Sequence, residues 1–373
     1  MVSVLLAGGG TAGHVNPLLA LAAELRRRDA ATSLHVLGTR EGLEAELVPR
    51  AGLEMTFVPR VPVPRRPTLD LLRVPGRLRA AVRAADEALE RSGADVVVGF
   101  GGYVAAPAYL AARRRGMPVV VHEANARPGL ANRLGARRAA AVAVTFPGTP
   151  LPRAVVTGLP LRPEIEQLLA QREEDPDRVR SAARAELGLA EQRRTLLVTG
   201  GSLGALSLNR ALVAIGAELV AAGAQVLHLT GKGKDAEVRA GAPREHYHVR
   251  EYLPEMHLAY AAADLVVCRA GAGTVSELAA LGLPAVYVPL PIGNGEQRRN
   301  AQGVVAAGGG MREREQNEHA AGRPTGAGTG DERRRFSRKT AATHITSVGG
   351  VAAVSAEACF LEENGSAARG CFS

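Results

Sequence analysis

The stretch that decides the fold reads Arg269-Ala270-Gly271-Ala272-Gly273-Thr274-Val275-Ser276-Glu277. The apolar run before it, Leu265–Cys268, is typical of a buried parallel strand, and residues 278–281 after it are typical of a helix. We therefore expect a strand, a glycine-rich turn and the start of a helix. The first amides of such a helix point outward at its positive end, so the turn suits a phosphate or a diphosphate.

Glu277 falls one turn into this predicted helix. A carboxylate in this position can accept two hydrogen bonds from a vicinal diol, such as that of a ribose. The alternative is an ordinary connection between strand and helix, with a glutamate that the helix dipole favours. The rest of the chain has to decide between the two.

The composition indicates two α/β domains in the cytoplasm. A chain of 373 residues is long enough for two domains, and 46% hydrophobic with 3% aromatic residues predicts cores of Ala, Leu and Val. The sequence has no apolar run long enough to cross a bilayer and no signal-peptide pattern at its start, so we expect no membrane span. The three cysteines lack the spacing of metal ligands, and we predict no metal site.

The net charge of +9 is concentrated in the first part of the chain. Residues 1–150 hold 20 Lys and Arg against 12 Asp and Glu, whereas residues 151–310 hold 17 of each kind. A basic domain favours an anionic membrane surface or an acidic substrate. Because aromatic residues are few and no nucleic-acid-binding signature is present, we predict no nucleic-acid partner.

A second glycine-rich turn lies near the start, where residues 2–7 predict a strand and Gly8-Gly9-Gly10-Thr11-Ala12-Gly13-His14 follows. We expect a helix from about residue 17 to residue 28. The turn matches the G-x-G-x-x-G pattern of dinucleotide-binding domains, which also need a carboxylate at the end of the second strand. That strand ends in Gly38-Thr39-Arg40, so the ribose of NAD has no partner and Arg40 leaves only NADP formally open.

Polar residues follow three predicted strands of the first half. His14 comes after the first strand, Tyr103 after residues 95–100, and Glu123 and Asn125 end the strand that starts at residue 118. Ligands of open α/β sheets bind at the carboxyl edge, where these side chains are expected. His14 titrates near neutrality and is a natural general base for a hydroxyl, although most single histidines are structural.

Residues 61–83 break the alternation of strands and helices. Prolines punctuate a loop, and the helical stretch that follows carries an apolar stripe beside arginines. This pattern fits peripheral docking on anionic lipid. The alternative is a helix that packs on its own domain and leaves its arginines in water.

The order of strand, glycine turn and helix starts again at residue 195, with the turn Gly200-Gly201-Ser202-Leu203-Gly204-Ala205. We predict a first domain at residues 1–162, a linker and surface helix at 163–194, and a second domain at 195–310. Two such Rossmann-like domains face each other across a cleft, in which a ligand is held from both sides.

Six stretches carry a resemblance to a known family. They are residues 8–14, Gly99-Phe100-Gly101-Gly102-Tyr103, His122-Glu123-Ala124-Asn125, residues 200–205, residues 269–277, and Gln297-Arg298-Arg299-Asn300-Ala301. In this order they resemble the peripheral glycosyltransferases that form lipid II in peptidoglycan synthesis. The resemblance covers residues 1 to about 310 and implies a GT-B fold.

The resemblance implies a reaction and its partners. N-acetylglucosamine would pass, with inversion, from UDP-N-acetylglucosamine (UDP-GlcNAc) to the C4 hydroxyl of undecaprenyl-diphospho-N-acetylmuramoyl-pentapeptide, which is lipid I. The enzyme would act as a peripheral protein on the cytoplasmic face of the membrane. No D-x-D metal motif is present, so we expect no dication requirement and no cofactor.

The resemblance also assigns individual residues. On the acceptor side, His14 is the base candidate with Glu123 as its competitor, and the pocket comprises Thr11, Gly13, Tyr103, Glu123, Asn125 and Arg162. On the donor side, Glu277 would hold the ribose, the amides of Ala272, Gly273 and Thr274 the diphosphate, and the Leu253 backbone the uracil. The remaining donor-side residues are Ser202 at the nucleotide, Arg269 near the phosphates, and Glu296, Gln297 and Asn300 at the sugar.

The last part of the chain departs from the family. Residues 311–373 contain a single leucine, Leu361, and no sustained helical period, so we expect a disordered tail where the family has helices. We interpret it as a native ending replaced by a frameshift, which leaves an inactive homologue as one alternative. A related glycolipid glycosyltransferase, for example one acting on diacylglycerol, is a second, and an NADP-dependent oxidoreductase is a third.

Overall fold

The computed structural model describes residues 1–61, 73–291 and 294–313. Within these ranges, the first sheet has seven parallel strands: β1 Ser3–Gly8, β2 Ser33–Gly38, β3 Glu54–Phe57, β4 Val96–Gly101, β5 Val119–Glu123, β6 Ala141–Val144 and β7 Ala154–Val156. Their order across the sheet is β3-β2-β1-β4-β5-β6-β7. Its helices are α1 Ala12–Arg28, α2 Glu44–Arg50, α3 Val74–Ser92, α4 Gly102–Arg114 and α5 Leu130–Ala136.

The second sheet has six parallel strands within the same described ranges: β8 Arg194–Thr199, β9 Ala224–Leu229, β10 Tyr247–Arg250, β11 Leu265–Cys268, β12 Ala285–Tyr287 and β13 Gly310–Arg312. Their order is β10-β9-β8-β11-β12-β13. The helices are α6 Pro163–Glu174, α7 Pro176–Leu187, α8 Leu206–Ala214, α9 Gly216–Ala221, α10 Asp235–Gly241, α11 Met256–Ala262, α12 Ala272–Ala280, α13 Glu296–Asn300 and α14 Gln302–Ala306.

Each sheet is buried on both faces, which explains why its strands are nearly continuous apolar runs. In the first domain, α1 and α2 pack on one face, and α3, α4 and α5 on the other. In the second domain, α8, α9 and α10 cover one face, while α6, α7, α11 and α12 cover the other. The apolar pattern alone therefore commits each half to a layered α/β architecture.

The strand order places a ligand crevice in each domain. β1 pairs with β2 on one side and with β4 on the other, so the winding reverses between β1 and β4. β8 lies in the same way between β9 and β11. Ligands of open α/β sheets bind at such switch points. Both predicted glycine turns of each domain therefore lie at its crevice.

Several predicted boundaries were wrong. The first helix starts at Ala12, one turn before the prediction, so His14 lies in the helix and Pro17 is accommodated inside it. Pro75 lies in the first turn of α3, where a missing amide hydrogen costs nothing. β3 and α2 were not predicted at all.

Residues 163–194 hold two helices where one surface helix and a linker were predicted. Ile165 and Leu168 of α6, together with Leu187 of α7, are buried in one cluster with Leu197 of the second sheet. Arg184 of α7 also donates a 2.7 Å hydrogen bond to Asp264. This segment packs as a layer of the second domain.

None of the helices in the described residues is long and apolar enough to cross a bilayer. The predicted docking stretch at 61–83 is described only at residue 61 and from residue 73 onward. The predicted tail lies outside the described residues from residue 314.

Candidate active site

His14 is held in one tautomer by the first glycine turn. Its Nδ1 lies 3.1 Å from the carbonyl oxygen of Gly9 and 3.2 Å from Thr11 Oγ1. A carbonyl oxygen can only accept, so Nδ1 carries the proton and Nε2 of the neutral ring presents its lone pair. Nε2 lies at the switch point, 3.2 Å from where a Cβ on Gly101 would stand.

Burial keeps this imidazole neutral. Desolvation lowers the pKa of His14 below its ordinary value, while Glu123, the Gly9 carbonyl and Glu44 pull that pKa upward. The net shift is downward, so the ring is unprotonated near pH 7. A neutral histidine with a free Nε2 is the form that a general base needs.

Glu123 is buried and its carboxylate is fully engaged. Oε1 accepts from the Asn125 amide at 2.9 Å and from the Asn125 side chain at 3.4 Å. Oε2 accepts from the Gly129 amide and from Asn132 Nδ2, both at 3.0 Å. A carboxylate that accepts from this many donors holds the loop after β5 in place.

The two glycine turns of the first domain touch each other. Gly102 has a φ of +78°, and a Cβ there would lie 2.4 Å from the carbonyl oxygen of Gly9. Only glycine fits such a backbone conformation and such an approach. The next residue, Tyr103, is exposed, and the Arg60 guanidinium stacks 4.8 Å from its ring centre. Arg60 was not predicted as a site residue, because a single arginine after a strand carries no sequence signal.

Tyr103 and Arg60 line a small cavity of about 50 Å³ over the first turn. Gly9, Gly10 and Thr39 form its other wall. A guanidinium over an aromatic face keeps its N–H donors available to a polar or anionic group. The cavity is therefore the part of the acceptor side with both an aromatic face and a positive charge.

The second domain presents an open helix end. α12 starts at Ala272 after Gly271, which makes no side-chain capping hydrogen bond. A Cβ on Gly271 or Gly273 would meet no described atom within 4 Å, so the space in front of the turn is open. The predicted diphosphate ligands, the amides of Ala272, Gly273 and Thr274, lie in this first turn, where helix amides lack intrahelical partners.

Glu277 is buried one turn further along α12. Its Oε1 accepts from Arg162 Nε at 2.8 Å, and its Oε2 accepts from the Tyr260 hydroxyl at 3.0 Å. The resemblance assigns Arg162 to the acceptor pocket, and in the structure its guanidinium pairs with Glu277 of α12. Each carboxylate oxygen keeps a second lone pair, so this pairing orients the group and leaves it able to accept from a diol.

The other residues that the resemblance assigns to the donor side lie in the second domain. Arg269 is buried and donates to the Val288 carbonyl and to Ser207 Oγ, both at 3.1 Å, which braces the strand end before the turn. Ser202 is exposed in the turn after β8, and Leu253 is buried after β10. Gln297 Oε1 accepts from the Leu290 amide at 2.9 Å, and Glu296 from the Asn294 amide at 3.2 Å.

Asn300 joins the two domains. It is 0% exposed; its Oδ1 accepts from the Ala126 amide at 2.9 Å. Its Nδ2 donates to Asn125 Oδ1 at 3.2 Å and to the Ala270 carbonyl at 3.1 Å. Every polar group of this amide therefore has a protein partner, and a sugar contact by Asn300 requires these hydrogen bonds to exchange. Helices α1 and α12 are also in contact, so both site halves meet at one cleft.

Two parallel-sheet domains that meet at a cleft, one with a buried histidine and one with an open helix end, have the architecture of GT-B glycosyltransferases. The family model for the glycosyltransferase family 28 N-terminal domain matches residues 4–144, and the model for its C-terminal domain matches residues 195–321. The chain belongs to glycosyltransferase family 28.

Its relatives narrow the class further. The chain is 60% identical over 312 residues to the UDP-N-acetylglucosamine–N-acetylmuramyl-(pentapeptide) pyrophosphoryl-undecaprenol N-acetylglucosamine transferase of Clavibacter sepedonicus, covering 83% of each protein. It is 58% identical over 313 residues to the transferase of the same name from Leifsonia xyli, covering 83% of this chain and 84% of the relative. The crystal structure of Acinetobacter baumannii MurG matches 84% of this chain and 86% of its own, with 30% identity and a TM-score of 0.64.

Proposed function

We propose that this protein transfers N-acetylglucosamine from UDP-GlcNAc to the C4 hydroxyl of undecaprenyl-diphospho-N-acetylmuramoyl-pentapeptide, which converts lipid I to lipid II. The observation that carries the proposal is the 60% identity, across both domains, to a transferase of that name. The geometry of the cleft supplies a group for each chemical step. Membership of a glycosyltransferase family removes the NADP-dependent oxidoreductase alternative.

His14 is the proposed base. Nε2 takes the proton of the acceptor hydroxyl while the oxygen forms a bond to C1 of the donor sugar and the bond from C1 to the diphosphate breaks. The Nδ1 hydrogen bond to Gly9 keeps the ring in the required tautomer, and the lowered pKa keeps it unprotonated. Glu123, whose carboxylate accepts four hydrogen bonds, is better suited to positioning than to proton transfer.

The leaving diphosphate is proposed to lie against the start of α12. Its charge grows as the sugar departs, and the outward amides of Ala272, Gly273 and Thr274 meet that charge at the positive end of the helix. Glu277 accepts from the ribose hydroxyls with the lone pairs that Arg162 and Tyr260 leave open. For Asn300 to select the sugar, it must release Asn125 and Ala126, so donor binding is expected to loosen this contact between the domains.

Peripheral attachment to an anionic membrane is the finer part of the proposal. On α5, Leu130 is 74% exposed and Leu134 lies one turn later, also exposed. Exposed Arg133, Arg137 and Arg138 flank them. Apolar side chains ringed by arginines suit the headgroup region of anionic lipid, which also concentrates the acceptor.

The test is to incubate the full chain with radiolabelled UDP-GlcNAc and a lipid I analogue. We expect a labelled lipid-linked disaccharide from the wild-type protein and from a His35→Gln control, and almost none from His14→Gln. Label on added diacylglycerol instead would favour the glycolipid alternative. Tight UDP binding without any transfer would favour the inactive homologue and overturn the proposal.

A further inference from the structure

A buried carboxylate outside the predicted site lies under the first glycine turn. Glu44, at the start of α2, is 0% exposed. Its Oε2 accepts from the Gly10 amide at 2.8 Å. Its Oε1 accepts from the amide and the hydroxyl of Thr39 at 2.9 and 2.8 Å. Burying a charge costs several kcal/mol unless the charge is hydrogen-bonded. Glu44 offsets this cost by accepting hydrogen bonds that an apolar side chain could not accept.

The backbone around Glu44 is shaped to admit it. A Cβ on Gly9 would lie 2.3 Å from the Glu44 carboxylate, and a Cβ on Gly42 would lie 2.0 Å from it. On Gly38, a Cβ would lie 2.6 Å from Glu44 Cγ. None of these three glycines has a positive φ, so what they provide is space. Glycines from two segments of the chain, the turn after β1 and the connection from β2 to α2, leave room for one side chain.

Glu44 and His14 bind the two ends of one peptide unit. The amide of Gly10 and the carbonyl of Gly9 belong to the same planar peptide group. Glu44 accepts from its N–H, and Nδ1 of His14 donates to its C=O at 3.1 Å. A hydrogen bond to the N–H polarises the peptide and strengthens the acceptor at its oxygen. The hydrogen bonds therefore run from the Glu44 carboxylate through the Gly9–Gly10 peptide to the His14 imidazole.

We propose that Glu44 is a positioning residue of the transfer reaction, which orients and electrostatically supports the His14 base through the Gly9–Gly10 peptide. This rests on the proposed function of His14. The arrangement does for this imidazole what a directly bonded carboxylate does in other histidine-based sites: it fixes the tautomer and stabilises the cation that forms when Nε2 takes a proton.

The charges around His14 agree with this role. The charged groups that act on it are Glu123 at the end of β5 and Glu44 at the start of α2, and both raise the pKa of His14 against the effect of burial. Removing the Glu44 charge therefore lowers the pKa of His14. The acidic limb of the activity profile then moves to lower pH, and proton transfer at neutral pH slows.

The mutational test uses three substitutions. Glu44→Gln keeps the shape but removes the charge and one acceptor, so we expect kcat to fall roughly 10- to 100-fold with KM for UDP-GlcNAc within about twofold. The acidic limb of kcat/KM is expected at lower pH. Thr39→Val removes one hydrogen bond to Glu44 but keeps the charge; because Thr39 also lines the cavity, only the position of its acidic limb is compared, and the limb should stay in place. Glu46→Gln changes an exposed glutamate of the same helix and should leave both kcat and the limb unchanged.

The hydrogen-bonded chain from Glu44 through the Gly9–Gly10 peptide to His14 can also be tested on the wild-type protein without an activity assay. In nuclear magnetic resonance spectra of the free protein, the Gly10 amide should be protected from exchange, and its proton shift should follow the titration of His14. Rapid exchange of Gly10, or a Gly10 shift that ignores His14, would overturn the proposal. So would a folded Glu44→Gln protein with an unchanged His14 titration. Absence of transfer by the wild type alone sinks the proposed function and leaves this readout valid.

Discussion

The glycine turn after β1 (residues 8–14) and the glycine turn after β11 (residues 269–277) both connect a strand to a helix, but different groups surround them. In the first, the Gly10 amide is taken by the buried Glu44 carboxylate, and the turn supports a histidine. In the second, α12 has no side-chain cap, and the space before Gly271 and Gly273 is open. The same strand-turn-helix unit thus holds a buried histidine where a carboxylate accepts from its turn, and leaves its first helix amides open where no side chain caps it.

The largest expected effect concerns the turn after β1. His14→Gln removes the base, so kcat should fall about 10²- to 10⁴-fold. The measurement is initial-rate transfer to a lipid I analogue at saturating UDP-GlcNAc. A loss below fivefold would mean that the first turn does not supply the base and that the comparison between the turns fails.

The next effect concerns His228 of β9, which lies close to the glycine turn at residues 200–205. His228 is buried, with Nδ1 2.8 Å from the Tyr247 hydroxyl and Nε2 3.1 Å from Asn209 Oδ1. Asn209 Nδ2 in turn donates to the Thr230 carbonyl, on which Gly204 packs. Burial lowers the pKa of His228 to about 4 from its ordinary 6.5. This histidine is thus a neutral structural group, in contrast to His14.

The sign of its effect on stability follows. Between pH 6.5 and about 4 the unfolded chain binds a proton at this site and the folded chain does not, so stability falls as pH falls. The contribution lost is about 3 kcal/mol across that window. Denaturant unfolding of the wild type and of His228→Gln at several pH values measures it. Equal pH slopes for both proteins would contradict the prediction.

A smaller effect is expected at the open turn. Glu277→Gln keeps the side-chain shape but weakens the acceptor for the ribose, so KM for UDP-GlcNAc should rise roughly tenfold, or about 1–2 kcal/mol. Glu255→Gln, at an exposed glutamate before α11, is the control. Initial rates over a range of donor concentrations measure the change. An unchanged KM would show that Glu277 serves only to hold Arg162 and Tyr260.

The smallest expected effect is on membrane binding, which we propose for the first domain and not for the second. Leu130→Ser with Leu134→Ser should weaken binding to anionic vesicles several-fold, because both side chains are exposed among arginines. Leu203→Ser is the matched control, since Leu203 is 81% exposed but lies in the second domain. Co-sedimentation with phosphatidylglycerol vesicles compares them. Equal losses for both changes would place the membrane contact elsewhere.

The sequence was sufficient for the features that local pattern controls. Apolar runs followed by glycines located β1, β4, β8 and β11, and the motifs around them identified the family. Local sequence pattern did not predict contacts between residues that are far apart in the sequence. Glu44 reaches Gly10 from 34 residues away, and β3 and α2 are short elements, with Pro49 inside the helix. Neither propensity nor periodicity reports such a contact.

Contacts between the two domains could not be predicted from the sequence either. The resemblance assigned Arg162 to the acceptor pocket, and its hydrogen bond to Glu277 could not be predicted from the sequence. Asn300 is predicted to contact the donor sugar, and its hydrogen bonds to Asn125 and Ala270 had no signal in the sequence. In both cases the residue type was right for a polar site, and the partner depended on how the two domains meet.

The division of labour between the two turns is the central claim, and calorimetric titration of UDP into His14→Gln tests it most directly. The account predicts a dissociation constant within about twofold of the wild-type value, because the nucleotide lies on the turn after β11 and the base on the turn after β1. A His14→Gln protein that remains folded but loses UDP binding would contradict it.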